Sequence, residues 1–332
     1  MSSLVIQTSF IGDVVLTTPL IATLTESGPV DVVTTLLGAQ VLANDPHVRH
    51  LSVYDKRGRD RGAAALVRLA RKVKAQSPND VAYLAQGSLR SALLARAAGY
   101  RHRIGFTTSQ GRLLYTKRVA FRRDLHHAER LLRLALDDHA TVEPDALRPR
   151  VYPGPEDRAA AAALIDSVPN DGRPLIALAP GSIWGTKRWP YFPDLAASLR
   201  GDYRIAVIGS ADDSPLAEAV LRATRDGIDA TGRLTLLGSA ALIGRCRALV
   251  TNDSAPLHLA SAMNTPTVAV FGPTVPAFGF GPLAEVAAVA ENTALSCRPC
   301  HPHGPRECPL GHWRCMRDLT VESVRERVAA IT

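Results

Sequence analysis

Four stretches of the 332-residue chain set reactive polar side chains directly behind short apolar runs. In SFIGDVVLTTPL, Asp13 follows the run Leu4-Val5-Ile6 and a turn at Gly12. Capping is a sufficient reason for an acid at a helix start. At a ligand edge the same carboxylate can take a proton from a hydroxyl nucleophile. In LIALAPGSIWGTKRWP, an apolar run stops at Pro180-Gly181, and a loop follows with Ser182, Thr186, Lys187 and Arg188. Hydroxyls, backbone N–H groups and a cation together suit a diphosphate. A solvent-facing basic loop would read the same way, and the Walker pattern G-x-x-x-x-G-K-[ST] is absent.

In LVTNDSAPLHLASAMNTPTVAVFGP, Asn252, Asp253 and Ser254 precede a helix with Pro256 in its first turn. A proline fits there because its missing N–H would have lacked a helical partner. The free N–H groups and partial positive charge of that end make an anion site, and His258 lies one turn in. The plain alternative is an N-cap followed by a satisfied helix histidine. In VIGSADDSPLAE, Asp212 and Asp213 follow Gly209-Ser210. Asp212 would suit sugar hydroxyls, and equally a capped helix start.

These stretches need a scaffold that presents strand ends to a ligand. The pattern predicts strands over 4–7, 30–35, 51–54, 81–85 and 103–105, with helices over 63–75 and 88–98. After a proline-rich stretch at 144–155, it restarts with strands over 175–179, 204–208, 248–251 and 267–271. Helices are expected there over 192–200, 214–223 and 255–263. Strands alternating with helices argue for parallel sheets covered on both faces. The expected class is therefore α/β, with two doubly wound domains, 1–150 and 151–332. Ligands of such sheets bind outside the carboxyl ends of the strands, where all four stretches fall.

The length suits two domains of roughly 150 residues. Apolar residues make up 46% and charged ones 21%, as in soluble globular proteins. No apolar stretch approaches the ~20 residues of a membrane span. No basic segment followed by a long apolar one opens the chain, which predicts a cytoplasmic protein with reduced cysteines. The net charge of +8 is uneven: residues 1–150 hold 22 Lys and Arg against 13 Asp and Glu. That half could meet nucleic acid, an anionic membrane surface or an acidic substrate, or be a solvated basic face with no partner, and no nucleic acid is expected.

Taken together, IGDVVLTTPL, PGSIWGTKRWP and TNDSAPLHLASAMNTPTVAVFGP resemble glycosyltransferase family 9, the lipopolysaccharide heptosyltransferases. The order and spacing span nearly the whole chain, and the tail CRPCHPHGPRECPLGHWRCM looks most like the heptosyltransferase II branch. The resemblance implies the GT-B architecture, two Rossmann-like domains facing a central cleft. The first would receive a lipid A-linked inner-core acceptor and the second the nucleotide sugar. It implies an ADP-heptose donor, inversion at the anomeric carbon and no cofactor required for catalysis. It makes Asp13 the general base and Lys187 the cation on the diphosphate. Ser182 and Thr186 join the phosphate loop, and Asp253, Ser254, Ala255 and His258 the second donor segment. It also implies a cytoplasmic enzyme, peripheral on the inner face of the membrane.

Two positions depart from the family pattern. Ala255 stands where glycine is more usual, and Gln7-Thr8-Ser9-Phe10 lacks the basic residue that many members carry ahead of Asp13. No Asp-x-Asp motif is present to hold a divalent metal on the donor, so Lys187 and the helix start after Asp253 would balance the leaving group's charge. Arg101, Arg103, Arg122, Arg123 and Arg130 are candidate acceptor contacts. Cys297, Cys300, Cys308 and Cys315 have the spacing C-x2-C-x7-C-x6-C. A structural zinc site, free thiols, and disulfides or a redox role are the three readings of that cluster. Rival functions are a family 9 enzyme with another sugar donor or acceptor and, remotely, a nucleic-acid-binding protein. A dinucleotide oxidoreductase is disfavoured because no G-x-G-x-x-G follows the first strand.

Overall fold

A computed structural model describes residues 2–56, 58–76, 80–137, 140–224 and 226–332. The chain divides into two compact units, Met1–Tyr152 and Pro153–Thr332. The first unit holds β1 (Ser3–Gln7), β2 (Val30–Thr34), β3 (Val48–Val53), β4 (Val81–Leu84), β5 (His102–Phe106) and β6 (Lys117–Val119). They form one sheet in the order β3-β2-β1-β4-β5-β6. Every pairing is parallel.

The second unit holds β7 (Leu175–Ala179), β8 (Arg204–Val207), β9 (Ile228–Asp229), β10 (Ala248–Asn252), β11 (Thr267–Phe271) and β12 (Ala287–Glu291). Their order, β12-β11-β10-β7-β8-β9, repeats the first sheet's connectivity. All of its pairings are parallel as well. In each unit the winding reverses beside the first strand: between β1 and β4, and between β7 and β10. At such a switch point the loops diverge to opposite faces and leave a crevice at the carboxyl ends.

The central strands β1, β2, β7, β10 and β11 are buried at every residue. Their runs of Val, Ile, Leu and Ala suit strands covered by helices on both faces. Helix Leu89–Ala97 starts where Ser88 Oγ accepts the N–H of Ser91, an N-cap. Helix Thr18–Thr25 opens with Pro19 in its first turn.

Three strands escaped the sequence pattern: β6, β9 and β12. β6 and β12 carry charged or small residues and β9 has two residues; each lies at a sheet edge, where one neighbour suffices. The chain's end belongs to the second unit's core: Cys315, Met316, Leu319, Val324 and Val328 pack with Ile176, Leu178 and Trp189.

Candidate active site

In the first unit, the loops after β1 and β4 line a cavity of about 380 Å³ at the switch point. Gln7, at the end of β1, donates from Nε2 to Thr17 Oγ1 at 3.1 Å. Thr8 Oγ1 donates to Gln86 Oε1 at 3.1 Å, which also receives Ser91 Oγ at 2.9 Å. These bonds tie the two loops together. Phe106 and Phe121 form an edge-to-face wall with ring centroids 5.2 Å apart, and both line the cavity. Much of the remaining lining is amide and hydroxyl: Gln7, Gln86, Ser88, Thr108 and Ser109 among others. Such a surface offers donors and acceptors to a polyhydroxyl ring, with an aromatic face for its C–H side.

Asp13 faces this cavity. It is the third residue of the short helix Ile11–Val15. The N-cap is Phe10, which has no side-chain acceptor, so only one half of a capping box forms: Asp13 Oδ2 accepts the Phe10 N–H at 3.2 Å. Asp13 Oδ1 lies 3.3 Å from His127 Nε2. The carboxylate therefore caps and faces the cavity at once.

The basic residues expected at the acceptor site are placed otherwise, and none of the five lines the cavity. Arg103 donates from Nε to Leu114 O at 2.6 Å and from Nη1 to Tyr100 O. Arg130, buried, donates to the carbonyls of Arg122 and Arg123, each at 2.7 Å, and lies over the Phe121 ring. Burial pulls both guanidinium pKa values down. Arg122 pairs with Asp124 at 2.6 Å on the surface, and Arg101 and Arg123 are exposed. Lys56 supplies a basic side chain near the first loop, donating to Thr8 O at 2.6 Å.

In the second unit, the loops after β7 and β10 carry the donor candidates. Asn252 binds them together: its Oδ1 accepts the Trp189 N–H at 3.0 Å and its Nδ2 donates to Pro180 O at 2.8 Å. Lys187 Nζ lies 2.6 Å from Asp253 Oδ2, which also accepts Thr274 Oγ1 at 2.7 Å. Ser254 occupies the N-cap position of helix Ala255–Met263, with its side chain turned back toward Asn252 O at 3.4 Å. Ala255 and Pro256 begin the helix, and His258 is buried, its ring 6.3 Å from that of Phe280. Ser182 is buried, and its Oγ accepts the Trp184 N–H at 3.3 Å.

Asp212 is exposed, and the neighbouring acid makes the local bonds: Asp213 Oδ2 accepts from Ser210 N at 2.9 Å and Ser210 Oγ at 2.8 Å. Thr186 spends its hydroxyl on Pro305 O in the cysteine-rich tail. Trp313 Nε1 donates to Thr186 O at 2.9 Å. Trp184 stacks on His303. The tail thus straps the Lys187 loop.

The zinc reading of the tail does not fit the side chains. Among the described residues, no group of three or more His, Cys, Asp or Glu converges as a metal site. All the cysteines are free thiols; those of the tail lie near enough to act on one another electrostatically, and each also has its own contacts. Cys315 is buried in the core, Cys308 Sγ accepts the Trp313 N–H at 3.4 Å and Cys300 Sγ donates to Cys297 O at 3.1 Å.

Residue pattern alone missed His127, Thr274 and the strapping role of the tail. His127 sits in LHHAER, with no spacing that ties it to Asp13. Thr274 follows the Gly-Pro that ends β11, and that position behind a strand is the one signal that pointed to it.

The sequence profile of glycosyltransferase family 9 (heptosyltransferase) matches residues 66–313. The chain belongs to glycosyltransferase family 9. This family 9 glycosyltransferase is similar to lipooligosaccharide heptosyltransferase 2 of Haemophilus influenzae, 28% identical over 75% of each chain. Among solved structures it resembles the E. coli ADP-heptose lipopolysaccharide heptosyltransferase II, with 25% identity and a TM-score of 0.80 over 100% of this chain and 98% of that one. A family 9 enzyme of Veillonella parvula shares its fold, with a TM-score of 0.85 at 24% identity over 99% and 96% of the two chains. Both sheets match the GT-B fold of these enzymes. No helix among the described residues is long and apolar enough to cross a membrane.

Proposed function

We propose that this family 9 glycosyltransferase moves heptose from ADP-heptose to a hydroxyl of the lipid A-linked lipopolysaccharide inner core, with inversion and Asp13 as general base. The observation that carries the mechanism is the Asp13 carboxylate in a hydroxyl- and amide-lined cavity at the first switch point. The relatives named heptosyltransferase 2 support the sugar and the acceptor class, and the similar E. coli ADP-heptose lipopolysaccharide heptosyltransferase II supports the donor.

In this reaction the acceptor oxygen attacks the anomeric carbon as the bond from that carbon to the diphosphate oxygen breaks. The hydroxyl proton passes to Asp13, and the electron pair of the broken bond leaves with ADP. One displacement inverts the centre, so no covalent intermediate is needed. The leaving diphosphate meets Lys187 and the N-terminus of helix Ala255–Met263. An ammonium has three donors; Asp253 holds one, and the others are left for phosphate oxygens. Free N–H groups at the helix start add to this before the charge develops, which is what makes such donors effective.

The test is transfer from ADP-heptose to heptose-deficient inner-core lipopolysaccharide, read by mass spectrometry. D13N is expected to lose about 100-fold or more in turnover while ADP binding by calorimetry is unchanged. Near-normal turnover by D13N overturns the base assignment. Transfer from another sugar nucleotide, with none from ADP-heptose, overturns the donor.

A further inference from the structure

We infer that His127 is the positioning residue of the Asp13 carboxylate. This rests on the reading of Asp13 as the base. His127 is the first residue of helix His127–Leu132, whose N-cap is His126, with its Nδ1 accepting the Ala128 N–H at 3.2 Å. With the cap supplied by its neighbour, His127 turns its ring into the cavity that Asp13 faces. Its Nε2 stands 3.3 Å from Asp13 Oδ1, and both side chains are largely buried, at 12% and 16% exposure.

The two oxygens of Asp13 are held by groups of different origin. The Phe10 backbone N–H donates to Oδ2 at 3.2 Å, and His127 Nε2 lies within ion-pair distance of Oδ1, at 3.3 Å. A carboxylate rotates easily about its last torsion, where the energy wells are broad. A backbone donor on one oxygen and an imidazole beside the other restrict its plane.

The ring does not itself serve as the base. Its Nδ1 is buried and its Nε2 is directed at Asp13, so the oxygen open to the cavity is the carboxylate's. The helix that carries the ring is anchored one turn on by Arg130, which donates to the carbonyls of Arg122 and Arg123 and covers Phe121, a wall of the same cavity. Backbone, imidazole and carboxylate are thereby set before substrate arrives, which is what a precise proton transfer requires.

The experiment compares H127L, H127Q and D13N in the heptosyl-transfer assay. H127L is expected to lower kcat about tenfold or more, with KM for the sugar nucleotide within about twofold of wild type. H127Q should restore most of kcat, because its side-chain amide nitrogen can stand where Nε2 stands. Wild-type kcat in H127L beside an inactive D13N overturns this inference and leaves the base reading intact. Normal turnover in D13N overturns the base reading and this inference with it. A second measurement needs no His127 variant. The ring-nitrogen resonance of His127 Nε2, read by nitrogen NMR on full-length protein, should move in D13N, and an unchanged resonance overturns the contact.

Discussion

Lys187 Nζ lies 2.6 Å from Asp253 Oδ2, and the pair joins the loop after β7 to the end of β10 with both side chains about nine-tenths buried. The Thr274 hydroxyl shares the same oxygen. The pair is therefore a buried, hydrogen-bonded ion pair. Removing one partner strands the other charge. K187M and D253N should each cost about 3–5 kcal/mol in urea unfolding, while the double variant costs less than the sum of the two. Additive losses would show that the two charges do not depend on one another.

The tail makes a second prediction. Trp313 Nε1 donates to Thr186 O, and the Thr186 hydroxyl donates to Pro305 O. These bonds hold the loop that presents Lys187, yet neither tail residue carries charge. W313F keeps the ring and removes the donor. It should weaken ADP binding roughly threefold to tenfold in calorimetry, in line with a lost hydrogen bond of about 1 kcal/mol. Unchanged affinity would confine the tail to a packing role.

The sheet cores and switch-point loops were legible because they obey local rules. Runs such as Leu175–Ala179 are apolar throughout and end in Pro-Gly, so both the strand and the loop behind it can be read. Asp13, Lys187 and Asp253 were singled out for the same reason: each lies in the loop, or at the helix start, that follows a strand. The Lys187–Asp253 bond was not legible, since 66 residues separate the partners. The arginines were less legible. Net charge cannot tell a guanidinium that meets substrate from one that, like Arg103 or Arg130, is consumed by backbone carbonyls. His127 illustrates a third limit: its partner Asp13 lies on another helix, and only the fold brings them together.

The thiols respond to pH in a set order. Burial pushes the Cys246 thiol from 9.0 up to about 12, and burial together with the neighbouring tail thiols pushes Cys315 up to about 11. Both stay protonated in the folded protein where an unfolded thiol ionises. Their contribution to stability is complete below 9.0 and is lost as pH rises from there through the folded values. Chemical denaturation should accordingly show stability falling above about pH 9. Since the thiolate is the nucleophile, iodoacetamide on native protein should label exposed Cys300 and spare Cys246 and Cys315, read by peptide mass spectrometry. Labelling of Cys246 without unfolding would contradict its burial.

Gly181 tests how closely the loops after β7 and β8 approach. A Cβ there would stand 2.4 Å from the Asp213 carboxyl carbon, and one at Gly209 would meet the same side chain at 3.0 Å. Asp213 cannot simply swing away, because Ser210 N and Ser210 Oγ both donate to its Oδ2. G181A should therefore displace the acid from its cap and cost about 1–3 kcal/mol in urea unfolding. Shortening the acid in D213S removes the obstacle, so the added cost of G181A in that background should shrink. An undiminished cost would place the strain in the Pro180-Gly181 backbone and not in the contact with Asp213.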